Sequence, residues 1–473
     1  MNHTEKFTAF VLVIATIVSA FLYGVWEDKV TLYAPLLMLV YLAVAAWVAS
    51  GVWRQSGREE NAERKPFSSF IFHLSSFQTP PGGVCLLLFW LYSAAMIPFS
   101  VLPYEAKIST LRFGCYLLTY WVSANILSRF SYRKAVWTTL FVALVLVALY
   151  SLVQHKVAPQ CLLWTERYTD GWEKGRLGGT YICPNHIAHL FQMWIPLCLV
   201  FLFLPQFGWF WRICFAYALP LFILLIYKTQ SRAGLLGAVA AVGVTSLFLV
   251  LRKSRRAFMI ALLVVPLLCV GVVGSLWVGS AVFRDRMEPA VKVVSLCLAG
   301  DLEAAASIDF RPMTWLDTLT MIKARPVFGF GPGNYSLTYE DYRTRFTGLR
   351  IGTVHAHNEY LELIAEYGLM GAVLVLWALI SISVQMIRFI RTSPRPYHAL
   401  PAAALLGALA GTAVHGFFDF ELRIFPNAMM LALLAGCAVA PLVQTGRLKT
   451  ENGGQKPEEG RQRAEGGGEV ENG

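Results

Sequence analysis

The sequence predicts an all-α integral membrane protein with about twelve transmembrane helices. Three observations lead there. The 473-residue chain is 56% hydrophobic and only 15% charged, with a mean hydropathy of +0.54. Its apolar residues fall in repeated blocks of roughly twenty, the length a helix needs to cross a bilayer. The alternating apolar–polar strands of an outer-membrane barrel are missing. Backbone in lipid must satisfy its own hydrogen bonds, so the helix is what remains.

The apolar runs start near Phe7, Val30, Val84, Leu111, Ala135, Asn185, Phe207, Ala233, Ala257, Glu359, His398 and Phe425. The first does not read as a cleavable signal peptide. It has few positive flanking charges and no clear small-residue cleavage site, and many further spans follow. Lys and Arg set the orientation. They cluster at Arg54, Arg58, Arg64 and Lys65, at Arg129, Arg133 and Lys134, at Arg252, Lys253, Arg255 and Arg256, and at Arg388, Arg391 and Arg395. With twelve spans all four clusters share one side, which the positive-inside rule makes cytoplasmic, with both termini. The net charge of +11 is then mostly topology and gives no argument for nucleic acid. The nine cysteines include no CxxC pair, which argues against a zinc or iron–sulfur site. Cys161 and Cys183 share one outer loop, where a disulfide could form in an oxidising compartment; two free thiols are the equal alternative.

The chain divides at residue 278, where nine spans end, and at 357, where an outer segment from 279 ends; spans ten to twelve fill 358–446. Two shorter polar connections, Arg54 to Gly82 inside and His155 to Pro184 outside, break the run of short loops. The tail from 447 to 473, rich in Gly, Glu and Lys, is expected to be disordered. No internal repeat is visible. The segment from 279 to 357 is long for a connection, and long connections in compact proteins usually carry function. It holds Trp315, Phe328, Phe330, Tyr335, Tyr339, Tyr342 and Phe346, enough aromatic surface to fold against the spans. Within it "FRPMTWLDTLTMIKARP" predicts an amphipathic helix with Met313, Leu316, Leu319 or Thr320, and Lys323 on one face. Pro326 ends it and "GFGPGNY" forms a turn.

Charged groups gather at the outer ends of the spans, against the topology signal. "YKTQSRAGLLG" places Lys228 and Arg232 at the end of the eighth span. Both could snorkel to the headgroups. For Arg232 the small residues Ala233, Gly234 and Gly237 that follow favour a ligand-facing role, since they allow close approach. "GRLGGTYICPNHIAHL" brings Arg176, Asn185 and His186 to the sixth span, where Asn185 serves either as a helix cap or in binding. Arg311 precedes the amphipathic helix. If Asn358 begins a helix, His357, Leu361, Ile364, Gly368 and Gly371 share a face, with the histidine at the outer tip and the glycines as packing positions. Glu359, Glu362 and Glu366 form a neighbouring stripe that must face protein, water or cations, with the outer arginines as natural partners. His355 and His357 do not fit an HExxH-type zinc motif, so no metal is expected. "VHGFFDFELRIFPNA" adds His415, Asp419, Glu421 and Arg423 at the last outer turn. One cavity on the outer surface could collect all of these.

Several arginines at such a surface suit a phosphate or diphosphate, which guanidinium groups bind in bidentate fashion. A lipid diphosphate would dock there with its tail in the bilayer. Were it to carry a sugar, breaking the sugar–phosphate bond would leave charge on the diphosphate for the arginines to stabilise. A histidine near an acceptor hydroxyl could take its proton, an effect of about 100- to 10,000-fold. No DxD-like carboxylate pair offers an obvious metal site.

These residues resemble the O-antigen ligase and polymerase superfamily of bacterial envelope glycosyltransferases. "HNEYLELIAEYGLMG" fits its signature of His, then Asn, Ser or Gln, nine residues, then G-x-x-G, filled by His357, Asn358, Gly368 and Gly371. "TQSRAG" looks like its S-R-G/A segment, with Arg232 as the arginine. "FRPMTWLDTLTMIKARPVFGFGPGNY" is similar to its outer-loop stretch, with Arg311 as the arginine, and "HGFFDFELRIFPNA" to its closing segment. The resemblance covers roughly the C-terminal two-thirds and implies a GT-C-like membrane enzyme without cofactor. It implies metal-independent, inverting transfer of a glycan from undecaprenyl diphosphate to an acceptor such as lipid A–core, on the periplasmic face of the bacterial inner membrane. By the same resemblance Arg232 and Arg311 bind the diphosphate and His357 is the essential histidine. Arg176, Asn185, Lys228, Asn358, Tyr335, His415, Asp419 and Arg423 are candidate substrate-binding residues. Repeat-unit polymerisation and protein O-glycosylation use the same motifs. A solute carrier is the alternative from another class, to be told apart by a midplane site.

Overall fold

The computed structural model describes residues 3–22, 29–56, 78–127, 129–159, 161–162, 165–166, 175–344 and 354–453. It is helical throughout, apart from a hairpin of two two-residue strands, Cys161–Leu162 and Thr165–Glu166. Helices stand at all twelve marked positions: α1 His3–Leu22, α2 Lys29–Ser56, α3 Gly83–Met96, α4 Pro103–Ile126, α5 Phe130–Val157, α6 Pro184–Phe201, α7 Gly208–Thr229, α8 Arg232–Lys253 and α9 Arg255–Gly279. After the outer segment come α14 Glu359–Thr392, α15 Pro396–Gly416 and α16 Phe425–Gly453. Among the described residues seven helices are long and apolar enough to cross a membrane by length and composition: α1, α5, α7, α8, α14, α15 and α16. The other five are shorter, carry polar residues or are described only in part. Of the tail predicted to be disordered, residues 447–453 instead continue α16 as helix, and residues beyond Gly453 lie outside the described residues.

Nearly every residue of α6 is buried, and the helix runs through the middle of the bundle. Phe201 packs from it onto Trp137 of α5 and Phe215 of α7, Phe191 onto Phe222 of α7, and Trp194 onto Phe141 of α5. The small residues after Arg232 serve this packing. A Cβ on Gly237 would stand 2.4 Å from Gln192 Oε1, and one on Gly234 would stand 2.8 Å from the Ala188 Cβ. The close approach they permit is that of α6 itself. At the far end of the bundle Arg252 donates to the carbonyls of Ile390 and Ser393, at 2.9 and 2.8 Å. Two of the four basic clusters are thereby joined at one end.

The outer segment is built of four helices: α10 Ala281–Leu298, α11 Leu302–Ile308, α12 Arg311–Ala324 and α13 Tyr335–Tyr342. Ser280 and Asp301 cap the first two with their side chains. The buried face of α12 differs from the one predicted. It consists of Met313, Thr314, Asp317, Thr318 and Met321, while Leu319 is exposed. Hydrogen bonds from Thr318 to Tyr335 and from Thr344 to Asp317 make polar burial affordable, so apolar spacing pointed to the wrong stripe.

The turn after Pro326 is threaded into α14. Gly368 breaks that helix with φ 64° and ψ −174°. Leu369 and Met370 donate to the carbonyls of Pro326 and Val327, and the carbonyls of Ala365 and Glu366 accept from Phe330 and Gly331. The groups freed by the break are thus satisfied by the turn. A Cβ on Gly368 would stand 2.1 Å from the Val327 oxygen. Gly368→Ala should lower stability by about 2–3 kcal/mol or more, from left-handed backbone and clash together. Thermal unfolding in detergent would register this; an unchanged melting temperature would contradict it. Gly371 lies one turn on, 3.3 Å from the Phe89 ring for an added Cβ.

Candidate functional site

Arg232 owes its position to a tight turn between α7 and α8. Gln230 closes α7 in the left-handed region at φ 53°, and Ser231 caps α8 by accepting from the Gly234 N–H. Arg311 opens α12. Between α11 and α12 lies Asp309, and both arginines reach it. Its Oδ2 accepts from Arg232 Nη2 at 3.1 Å and from Arg311 Nη1 at 3.2 Å. Its Oδ1 accepts from the Arg311 backbone N–H at 3.1 Å. Burial works against the Asp309 carboxylate, yet Arg311 and then Arg232 hold its carboxyl below the ordinary range. Both guanidinium groups keep some solvent contact, with 23% and 18% of the side chain exposed, so donors remain for a ligand.

His357 sits just ahead of α14 with φ 49°, an uncommon backbone for a residue with a side chain. Its Nδ1 lies 3.1 Å from Asp419 Oδ1. The rings of Phe310 and Phe420 stand edge-on to the imidazole at 5.1 and 4.9 Å. Phe310 also carries the Arg311 guanidinium, 5.8 Å from its centroid, and so joins the arginine pair to the histidine. Asp419 Oδ2 accepts from Asn185 Nδ2 at 2.6 Å, and Asn185 Oδ1 accepts from Arg176 Nη2 at 2.6 Å. Arg176 is anchored by donating from Nε to the Thr229 carbonyl. Burial opposes charge on Asp419, but the hydrogen bond and charge of His357, then Arg311, hold its carboxyl well below the usual range. An ionised Asp419 fixes the imidazole proton on Nδ1 and leaves Nε2 as an acceptor.

The glutamate stripe of α14 is buried around one cation. Arg423 Nε lies 3.1 Å from Glu362 and 3.8 Å from Glu359, and its Nη1 lies 2.7 Å from Glu366. Burial disfavours the charge, but the three carboxylates raise the Arg423 pKa. Glu362 also accepts from His355 and from the Ala356 N–H. Asn358 caps α14 by accepting from the N–H groups of Tyr360 and Leu361. Tyr335 is buried in the outer segment, with its hydroxyl 2.7 Å from Thr318 Oγ1. His415 is fully buried between Gln192 and Glu421. The Lys228 side chain is exposed, while its carbonyl accepts from Leu177.

Residues 216–376 match a family model described as O-antigen ligase. That stretch is similar to the O-antigen ligase family. No curated protein matches the chain. The matched stretch holds Arg232, Asp309, Arg311, His357, Gly368 and Gly371, so the arginine pair and the histidine all fall within the residues that resemble that family. Arg176, Asn185 and Asp419 reach it from outside that stretch.

Two partners in this candidate site, Asp309 and Phe310, are missing from the residues singled out in the sequence. Asp309 has no motif of its own in the sequence. Phe310 is quoted within a motif, but its contact with the His357 ring depends on a residue 47 positions away. Near the same acid, His186, Asp419 and Glu421 offer atoms within 4.8 Å of one another and could hold a cation. Both oxygens of Asp419 already accept hydrogen bonds, so a cation would compete with those donors. Cys161 and Cys183 are free thiols. The Cys183 thiol is pushed up to about 12, first by burial and then by Asp419 and Glu421.

Proposed function

We propose that the protein moves a glycan from undecaprenyl diphosphate to an acceptor, with lipid A–core as that acceptor, by a metal-independent, inverting reaction. The observation that carries this reading is the junction of Arg232 and Arg311, through Phe310, with the His357–Asp419 pair. Arg232 and Arg311 bind the donor's diphosphate. The acceptor hydroxyl attacks the anomeric carbon from the face opposite the leaving group. His357 Nε2 takes the hydroxyl proton, the sugar–oxygen bond breaks, and the electron pair leaves on the diphosphate. The arginines stabilise that growing charge. Asp419, Asn185 and Arg176 hold the imidazole in place. Lys228, Asn358, Tyr335, His415 and Arg423 complete the surroundings that position donor and acceptor.

In this reading the chain crosses the bacterial inner membrane twelve times in a GT-C-like arrangement, with both termini cytoplasmic and the site periplasmic. A carrier would need a midplane site. The ionisable side chains of the seven candidate spans instead lie within about two turns of a helix end, which favours chemistry at the rim.

The test uses purified protein in nanodiscs, undecaprenyl diphosphate-linked glycan, and lipid A–core, free repeat units or protein as acceptors. Glycan should appear on lipid A–core and persist in EDTA. Transfer to repeat units or to protein alone would instead assign a polymerase or a protein O-oligosaccharyltransferase. Absence of transfer to every acceptor would remove the reading.

A further inference from the structure

Arg286 stands on α10, beside the arginine pair. Its Nε donates to the carbonyl of Gln230 at 3.2 Å, the left-handed residue that sets up Arg232. It lines the same cavity as Arg232, whose other walls include Ile226, Leu235, Phe283 and Met287. Among the described residues no carboxylate forms an ion pair with Arg286. Burial, and then the charges of Arg232 and Arg311, push its pKa down, against the pull of Asp309. An arginine nevertheless stays charged near neutral pH.

Three guanidinium groups therefore face two carboxylates, Asp309 and, beside Arg311, Asp419, and positive charge stays in excess. Gathering like charges in a half-buried place is unfavourable unless a ligand brings the opposite charge. A diester of diphosphoric acid with a lipid on one end and a sugar on the other carries two negative charges. The apolar walls beside the guanidinium suit the first carbons of an isoprenoid chain.

We propose that Arg286 is a third ligand for the donor's diphosphate, closing a trio with Arg232 and Arg311 on the side where the lipid enters. This rests on the reading of the arginine pair given above. The third guanidinium adds to the positive charge that the arginine pair offers the donor.

The test measures binding of farnesyl diphosphate and of inorganic pyrophosphate to the full chain in detergent. The wild type is compared with Arg286→Ala, Arg286→Met, Arg286→Lys and Arg232→Ala, each checked for elution profile and melting temperature. Arg286→Met keeps the aliphatic stem and guards against loss of packing. Loss of a charged hydrogen-bonding partner predicts binding weakened about 10- to 100-fold for both probes in the Ala and Met variants, with partial recovery in the Lys variant. In the wild type farnesyl diphosphate should bind more tightly than pyrophosphate, because the cavity walls are apolar. Wild-type affinity in folded Arg286→Met, with binding lost in Arg232→Ala, would overturn the role of Arg286 alone. Unchanged binding in Arg232→Ala would overturn the arginine-pair reading beneath it.

Discussion

Arg232→Ala and Arg311→Ala should each reduce glycan transfer by about 100- to 1,000-fold, the usual cost of removing one donor to a developing oxyanion. The geometry makes the loss severe. Both guanidinium groups share Asp309 Oδ2. With one gone, Asp309 pairs with the other alone, and the site loses a direct donor to a diphosphate. The double variant should therefore cost less than the product of the two single losses, since the residues act on one group. Arg232→Lys should stay far below wild type, because an ammonium cannot reproduce the bidentate contact. Single-turnover transfer rates, with melting temperatures as a folding check, would measure this. A folded single alanine variant with near wild-type rate would exclude the arginines from the reaction.

His357→Ala should lower the rate by about 100- to 10,000-fold, the range of a lost general base. Asp419→Asn should also be slow although His357 is intact, since an amide no longer enforces the proton on Nδ1. The pH response follows from sign. The Asp419 carboxyl is depressed in the fold. Its contribution is present above the unfolded value, about 3.9, and is lost as pH falls through the lower folded value. Between pH 5 and 8 the carboxylate is constant, so any change in rate there belongs to another group. A pH–rate profile of wild type and Asp419→Asn checks this. Equal rates for the two proteins would strip Asp419 of its orienting role.

How much of this was legible beforehand depends on distance along the chain. Apolar blocks are local, and helices stand at all twelve positions that hydropathy marked. Arg232, Arg311 and His357 sit in short motifs and could be singled out. Their connections could not. Asp309 is an unmarked loop acid until two arginines close on it. Arg423 lies 57 residues or more from each carboxylate it ties together. Arg286 lies in no motif of the sequence, and its place beside the arginine pair depends on the fold. The break at Gly368 was hidden for another reason: helical spacing assumes an unbroken helix, and the glycines of the motif looked like packing positions.

That break has a mechanical consequence. The strand of chain from Pro326 to Gly331 supplies donors and acceptors that α14 cannot supply for itself. Pulling it away would strand bare peptide groups beside the bilayer, where nothing else can satisfy them. The turn from Pro326 to Gly331 is for that reason a fixed part of α14's wall, not a flap. In the proposed reaction, lipid and acceptor would enter along its flanks and leave the same way.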